Sequence, residues 1–165
     1  MNNGKITAVI GVRKGSERIV NKNIKPFNDT SLLENKIKIL QKVDNLDEIV
    51  VTTDCDKMFA LAEQLGAIAI KRPDYYTSND CPGSENLEFI ATQVKTDYIL
   101  YTPVTSPLVK SETYEDIINT FRNLDDEYDS VVSMNYLKDF LWENNEPLNY
   151  DPLNCPRSQD MNSIF

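Results

Sequence analysis

With 165 residues, 41% of them hydrophobic, the chain is sized for one globular domain with a core of its own. A formal net charge of −9 repels nucleic-acid phosphates and anionic bilayers at long range, so neither a polynucleotide nor a membrane is expected as a partner. The sequence contains no histidine, which excludes Ser-His-Asp and Cys-His catalysis; any metal must be held by oxygens, which favours Mg2+ or a similar hard cation.

The N-terminal residues carry no long apolar core of a signal peptide, and no run is long enough to span a bilayer, so a cytoplasmic protein is expected. Ile6–Val12 is a short apolar run that breaks at Arg13-Lys14-Gly15-Ser16, the pattern of a buried strand entering a loop. Residues 31–43 place Leu32, Leu33, Ile37, Ile39 and Leu40 at near-helical spacing. Glu48–Thr53 reads as a second strand. Asp56–Leu65 reads as a helix stopped by Gly66, and Ala67–Ile70 as a third strand. Pro73–Gly83 is a loop, Glu85–Val94 a helix, and Asp97–Thr102 a fourth strand ended by Pro103 and Pro107. A helix over Glu112–Leu124, capped by Ser111, and a fifth strand over Asp129–Met134 follow. From Asn135 onward no element is legible, and the apolar end Ser163-Ile164-Phe165 suggests a fragment or a domain lacking its last part.

Strands without polar alternation, separated by helices, indicate an α/β fold: a doubly wound, mostly parallel sheet with helices on both faces, as one domain over residues 1–165. Ligands of such sheets bind beyond the carboxyl ends of the strands, where the loops after Val12, Thr53, Tyr101 and Met134 would gather. Lys5, Arg13, Lys14, Arg18, Lys22 and Lys25 form a basic cluster on an otherwise acidic chain. A glycine, a serine hydroxyl and several cations in one loop can surround a polyphosphate, although neither GxxxxGK[ST] nor GxGxxG is present and a solvated loop reads equally well on physics alone. Asp54 and Asp56 read as a strand-to-helix turn with a helix cap, with metal binding as the alternative. Tyr75-Tyr76 reads as a loop anchor, and Tyr136, Phe140 and Trp142 either line a pocket or pack under a loop. Cys55, Cys81 and Cys155 show neither disulfide-framework nor zinc spacing and read as reduced thiols.

The segment Val9–Phe27, VIGVRKGSERIVNKNIKPF, closely resembles the first motif of the acylneuraminate cytidylyltransferases, IPARxGSKxxxxKNI. That family includes the CMP-sialic, CMP-legionaminic and CMP-pseudaminic acid synthetases, with the CMP-Kdo synthetases as more distant relatives. Val50–Ala67 resembles VVSTDDEEIAEIAKKYGA, Arg72-Pro73 matches its RP, Thr105–Leu108 the end of its QPTSPL, Asp129–Met134 its DSVVSV, and residues 156–160 its RQD segment. The resemblance implies a nucleotide-diphospho-sugar transferase fold and CMP transfer from CTP to an acidic, sialic acid-like sugar, with release of pyrophosphate. It implies that Arg13 and Lys22 hold the phosphates and act in catalysis. Gly15, Ser16, Asn23, Arg72, Ser84, Thr105 and Ser106 would bind the nucleotide, and Arg157, Gln159 and Asp160 the acceptor sugar. It further implies Mg2+ and a homodimer. Glu17 stands where the family has Lys, and Pro103 where it has Gln. The family's metal carboxylates and dimerising extension would fall at or beyond the end of this sequence. A nucleotidyltransferase of the same fold with another acceptor, and a nucleotide-binding module without turnover, remain the alternatives.

Overall fold

The short apolar run at the start forms strand β1 (Ile6–Gly11) at the middle of a four-stranded sheet in the computed structural model, which describes residues 4–15, 19–135 and 137–161. After β1 come a 3-10 turn at Lys22–Ile24 and a small antiparallel pair, β2 (Pro26–Phe27) and β3 (Thr30–Ser31), closed by Asn28 in the left-handed region at φ 53°. The Ser31 side chain accepts from the Glu34 amide at 3.2 Å and so starts helix α1 (Leu32–Leu40). Strand β4 (Glu48–Thr53), helix α2 (Asp56–Gln64) and strand β5 (Ile68–Lys71) follow as expected, with Gly66 at φ 79° ending the helix. Helix α3 (Gly83–Gln93), strand β6 (Tyr98–Tyr101) and helix α4 (Ser111–Arg122) complete the layer.

The sheet order is β5-β4-β1-β6, and every pair in it is parallel. β1 pairs with β4 from Thr7↔Glu48 to Gly11↔Thr52, and with β6 from Ile6↔Tyr98 to Val9↔Tyr101. The side chains of β1 alternate between faces. Ile6, Ala8 and Ile10 meet Leu33, Ile37 and Leu40 of α1, Met58 of α2 and Ile118 of α4 on one side. Val9 meets Ile90 of α3 on the other. Each of these large side chains, withdrawn from water, contributes roughly 1.5–3 kcal/mol, so the apolar face of each helix fixes which side of the sheet it covers. Helices on both faces of a parallel sheet agree with the expected architecture.

Three expectations are corrected. Asp129–Met134 is not a strand: among the described residues it joins no ladder, and Val132 and Met134 are exposed at 70% and 62%. Apolar residues with strand propensity make no strand without a neighbour to pair with. Ser111 is the first residue of α4 rather than its cap; its hydroxyl lies 3.4 Å from Glu112 Oε2. No side chain caps α2, because Asp54 is occupied elsewhere and Asp56 pairs with Lys71.

Contacts divide the chain into a first unit, Met1–Asp129, and a second, Ser130–Phe165. The second contains a hairpin of β7 (Trp142–Glu143) and β8 (Glu146–Pro147), turned by Asn144 and Asn145 at φ 49° and 65°, and 3-10 turns at Pro152–Asn154 and Ser158–Asp160. The rings of Phe140 and Trp142 both meet Tyr150 edge-on, at 4.8 and 6.2 Å, so these aromatics pack on one another. Tyr136 lies outside the described residues.

Candidate functional site

All four parallel strands end at one edge, β1 at Gly11, β4 at Thr53, β5 at Lys71 and β6 at Tyr101. Strand order reverses between β1 and β6, so the loops leaving those strands part and open a crevice. A cleft of about 550 Å³ lies there. Arg13, Gly15, Lys22 and Asn23 line it after β1, and Pro103, Val104 and Thr105 line it after β6. A second hollow of about 270 Å³ shares Gly11 and Arg13 with the first and is bounded by Arg72, Tyr76, Cys81, Asn86 and Tyr101.

The walls are braced by contacts far apart in sequence. The Lys14 amide donates to Asp54 Oδ1 at 2.8 Å, a charge-assisted bond that ties the loop after β1 to the end of β4. Arg13 Nη1 donates to the Thr77 carbonyl at 2.7 Å, and Asn23 Nδ2 to the Arg13 carbonyl at 3.1 Å. Asn23 is buried, and Asn21 before it takes the left-handed conformation at φ 55° that turns the chain into the Lys22–Ile24 segment. Arg72 is 5% exposed, with Nη2 on the Val12 carbonyl at 2.6 Å and Nη1 on Asn86 Oδ1 at 2.9 Å. Its Nε is buried without a partner. Burial pushes the Arg72 pKa down and the Asp54 carboxylate opposes this; a guanidinium stays charged regardless. The Tyr76 ring stacks on Phe89 at 3.9 Å, and Tyr75 donates its hydroxyl to Glu85 at 3.0 Å, so this pair anchors its loop to α3 while Tyr76 also lines the smaller hollow.

Of the residues expected at the site, Arg13, Gly15, Lys22, Asn23 and Thr105 meet in the larger cleft, and Arg72 joins Arg13 in the smaller. Ser84 is exposed in the first turn of α3, where Gly83 and Asn86 line the hollow instead. Ser106 turns its carbonyl to Lys36 Nζ at 3.0 Å. Ser16, Glu17 and Arg18 lie outside the described residues. Lys5 leaves the expected basic cluster: at the opposite end of β1, it pairs with Glu48 at 2.7 Å. Arg157, Gln159 and Asp160 are exposed in the second unit; Arg157 Nε is 3.6 Å from Asp160 Oδ2, and the Gln159 carbonyl is 3.5 Å from Lys138 Nζ. Sequence reasoning missed Thr77, Asn86 and Tyr101, whose roles depend on contacts that no local pattern announces.

The crevice at the strand switch thus brings Arg13 and Lys22 together with the loop at Gly15. The family model described as cytidylyltransferase covers residues 7–165. The chain belongs to that family. The N-acylneuraminate cytidylyltransferase of Escherichia coli O18:K1:H7 (strain RS218 / NMEC) is 31% identical over 134 residues, covering 79% of this chain and 31% of that protein. The enzyme of the same name from Oncorhynchus mykiss is 26% identical over 164 residues, covering 94% and 38%. The chain thus spans about a third of the length of these curated relatives. Among solved structures, CMP:2-keto-3-deoxy-manno-octonic acid synthetase complexed with CTP superposes with a TM-score of 0.63 at 19% identity, covering 72% of this chain and 48% of that one. Rv0371c of Mycobacterium tuberculosis, complexed with manganese, gives 0.50 at 19% identity, covering 70% and 59%. At these identities the structures establish the nucleotidyltransferase fold.

Among the described residues no group of three or more carboxylates or thiols comes together to hold an ion. Asp54 is committed to the Lys14 amide and Asp56 to Lys71. The described residues do not supply a protein cage for Mg2+. No described helix is long and apolar enough to cross a membrane.

Proposed function

We propose that this chain is the nucleotide-binding part of an enzyme that transfers CMP from CTP to an acidic, sialic acid-like sugar. The observation that carries the reading is the cleft at the β1/β6 switch, where Arg13 and Lys22 share one wall with Gly15. In this reaction a sugar hydroxyl oxygen bonds to the α-phosphorus of CTP, the bridging P–O bond to the β-phosphate breaks, pyrophosphate leaves with that electron pair, and the hydroxyl proton is released. Charge builds on the leaving group, so preplaced cations lower the barrier more than a nucleophile would. Arg13 and Lys22 take that role, and the loop backbone at Gly15, with Ser16, adds hydrogen bonds. Arg13 borders both hollows, so phosphates held there put the rest of the nucleotide beside Arg72, Asn86 and Tyr76. Asn23 works through the Arg13 carbonyl, Thr105 forms the facing wall, and Ser84 and Ser106 stand at its margins. Arg157, with Gln159 and Asp160, is suited to the sugar carboxylate, for which a guanidinium fork is the natural partner. Since the described residues offer no cage of their own, a divalent cation would be held by the triphosphate itself and would supply further neutralisation of its charge. The assignment extends to a cytoplasmic homodimer.

The test is thermal stabilisation by CTP, UTP, ATP and GTP, each with Mg2+, followed by pyrophosphate release in the presence of a nonulosonic acid. CTP at a hundred times its Kd adds about 2.7 kcal/mol to the folded state and raises the Tm. Arg13→Ala abolishes that rise. Equal stabilisation by all four nucleotides overturns the cytidine assignment. CTP binding without pyrophosphate release leaves a binding module in place of a complete enzyme.

A further inference from the structure

Lysine is among the side chains least often found fully buried without a charged partner. Lys36 is 0% exposed, in the middle of α1. Among the described residues no carboxylate lies within 4.0 Å of its ammonium. Its partners are the Ser106 carbonyl at 3.0 Å and the Tyr114 hydroxyl. The neighbouring residue on the helix does the same work one peptide further on: Asn35 Nδ2 donates to the Pro107 carbonyl at 3.1 Å. Two consecutive side chains of α1 thus hold two consecutive carbonyls of the segment after β6. Thr102 also ties that segment to the Val9 carbonyl at 2.9 Å, and Val104 packs into the core, but from Thr105 to Pro107 its one internal bond among the described residues is the long Ser106 N–Pro103 O contact of 3.5 Å. The segment forms the Pro103–Val104–Thr105 wall of the larger cleft. The same helix packs against the Lys22–Ile24 turn, which supplies the opposite wall.

We propose that Asn35 and Lys36 are positioning residues: through them α1 acts as a strut that sets the separation between the cation-bearing wall and the Thr105 wall of the cleft. The inference rests on the nucleotide-site reading for its functional consequence, but the mechanical claim stands on the geometry alone. A lysine kept in this place costs folding free energy, because burial lowers its pKa from 10.5 to about 8. A residue retained only for stability would behave differently from one retained for position. Removing the ammonium relieves a desolvation penalty while freeing the wall it holds.

The experiment compares the whole chain with Lys36→Met, which keeps the length and loses the donors, and with Asn35→Ala, which removes the outer grip. Backbone hydrogen exchange of the peptide spanning residues 101–110 is read without nucleotide. The strut model expects exchange there to quicken at least tenfold in Lys36→Met and several-fold in Asn35→Ala, with far-UV circular dichroism unchanged. Melting of Lys36→Met at neutral pH is expected to stay within about 5 °C of the parent. The CTP Kd is expected to rise at least tenfold in Lys36→Met. Unchanged exchange in residues 101–110 overturns the proposal whatever CTP does. Faster exchange with an unaltered Kd overturns the link to the cleft. If Lys36→Met fails to fold, Asn35→Ala decides by the same two readouts. Failure of the parent chain to respond to CTP refutes the functional reading separately, while exchange still decides the strut.

Discussion

Among the described residues nothing requires a glycine at loop position Gly15. A methyl group placed on it would meet no atom within 4 Å, and its φ lies outside the left-handed region that L side chains avoid. By contrast, a methyl on Gly11 would come within 3.3 Å of the Tyr101 hydroxyl, so that glycine is set by packing. The open space over Gly15 belongs to the cleft, and on the proposed nucleotide reading a ligand coming close to the backbone would be the physical reason to leave the position bare. Gly15→Ala is therefore expected to leave the fold intact, or to stabilise it by about 0.4–1 kcal/mol through a less flexible unfolded chain. The same change is expected to weaken CTP binding at least tenfold. Urea melts and a CTP titration of the variant check both parts, and an alanine that binds CTP normally would place the phosphates elsewhere. Arg13, Gly15, Lys22 and Asn23 were legible as a group because they lie in one continuous loop. Thr77 and Asp54, which hold that loop, were not, since a carbonyl acceptor and a carboxylate 40 residues away leave no local signature.

At the scale of the element, α1 shows what periodicity reads and what it passes over. Leu33, Ile37 and Leu40 fall at helical spacing and are all buried, as expected. The same spacing puts position 36 on that stripe, so the signal for a buried lysine was present, but a count of apolar residues skips it. Its titration supplies a direct check. In the folded chain Lys36 has a pKa of about 8, against 10.5 as its ordinary value, so the unfolded chain binds that proton more tightly. Below pH 8 both states are protonated and the full cost applies, about 3 kcal/mol. As pH rises above 8 the folded state loses the proton first, and stability climbs. The Tyr114 hydroxyl, raised above 10.0 by burial, bounds the window, because from about pH 10 the unfolded tyrosine ionises first and stability falls again. Denaturant unfolding from pH 7 to 10 is expected to give a rise in the stability of the parent relative to Lys36→Met; parallel curves would show that the ammonium is not desolvated. The hairpin of β7 and β8 had a local signal too: Asn144-Asn145 suits two left-handed positions. Strands of two residues are too short to show alternation, and the turn alone does not name the element.

For the whole molecule, the order of strands decides where chemistry can happen. β1, β4, β5 and β6 were each legible as apolar runs between helices, and a parallel sheet followed from them. The fifth run failed because strand formation is a property of pairs: Val131 and Val132 carry the propensity, but no ladder takes them in. The division of the chain after Asp129 gives this a functional meaning. The sheet, the four helices and every described residue lining the two hollows fall in the first unit, between Gly4 and Asp129. The second unit contributes Arg157, Gln159 and Asp160, the side chains assigned to the acceptor sugar. Nucleotide binding and acceptor binding should then separate along the chain. Residues 1–129 alone are expected to fold and to keep the CTP-induced rise in Tm, within about a factor of three in Kd. Arg157→Ala in the whole chain is expected to leave CTP binding unaltered and to remove any response to the sugar. Calorimetric titration of CTP into residues 1–129, and of sugar into the CTP-saturated whole chain with and without Arg157→Ala, tests the division. A fragment that folds but ignores CTP would mean that the nucleotide site draws on residues after Asp129, and the strand switch would then be only part of it.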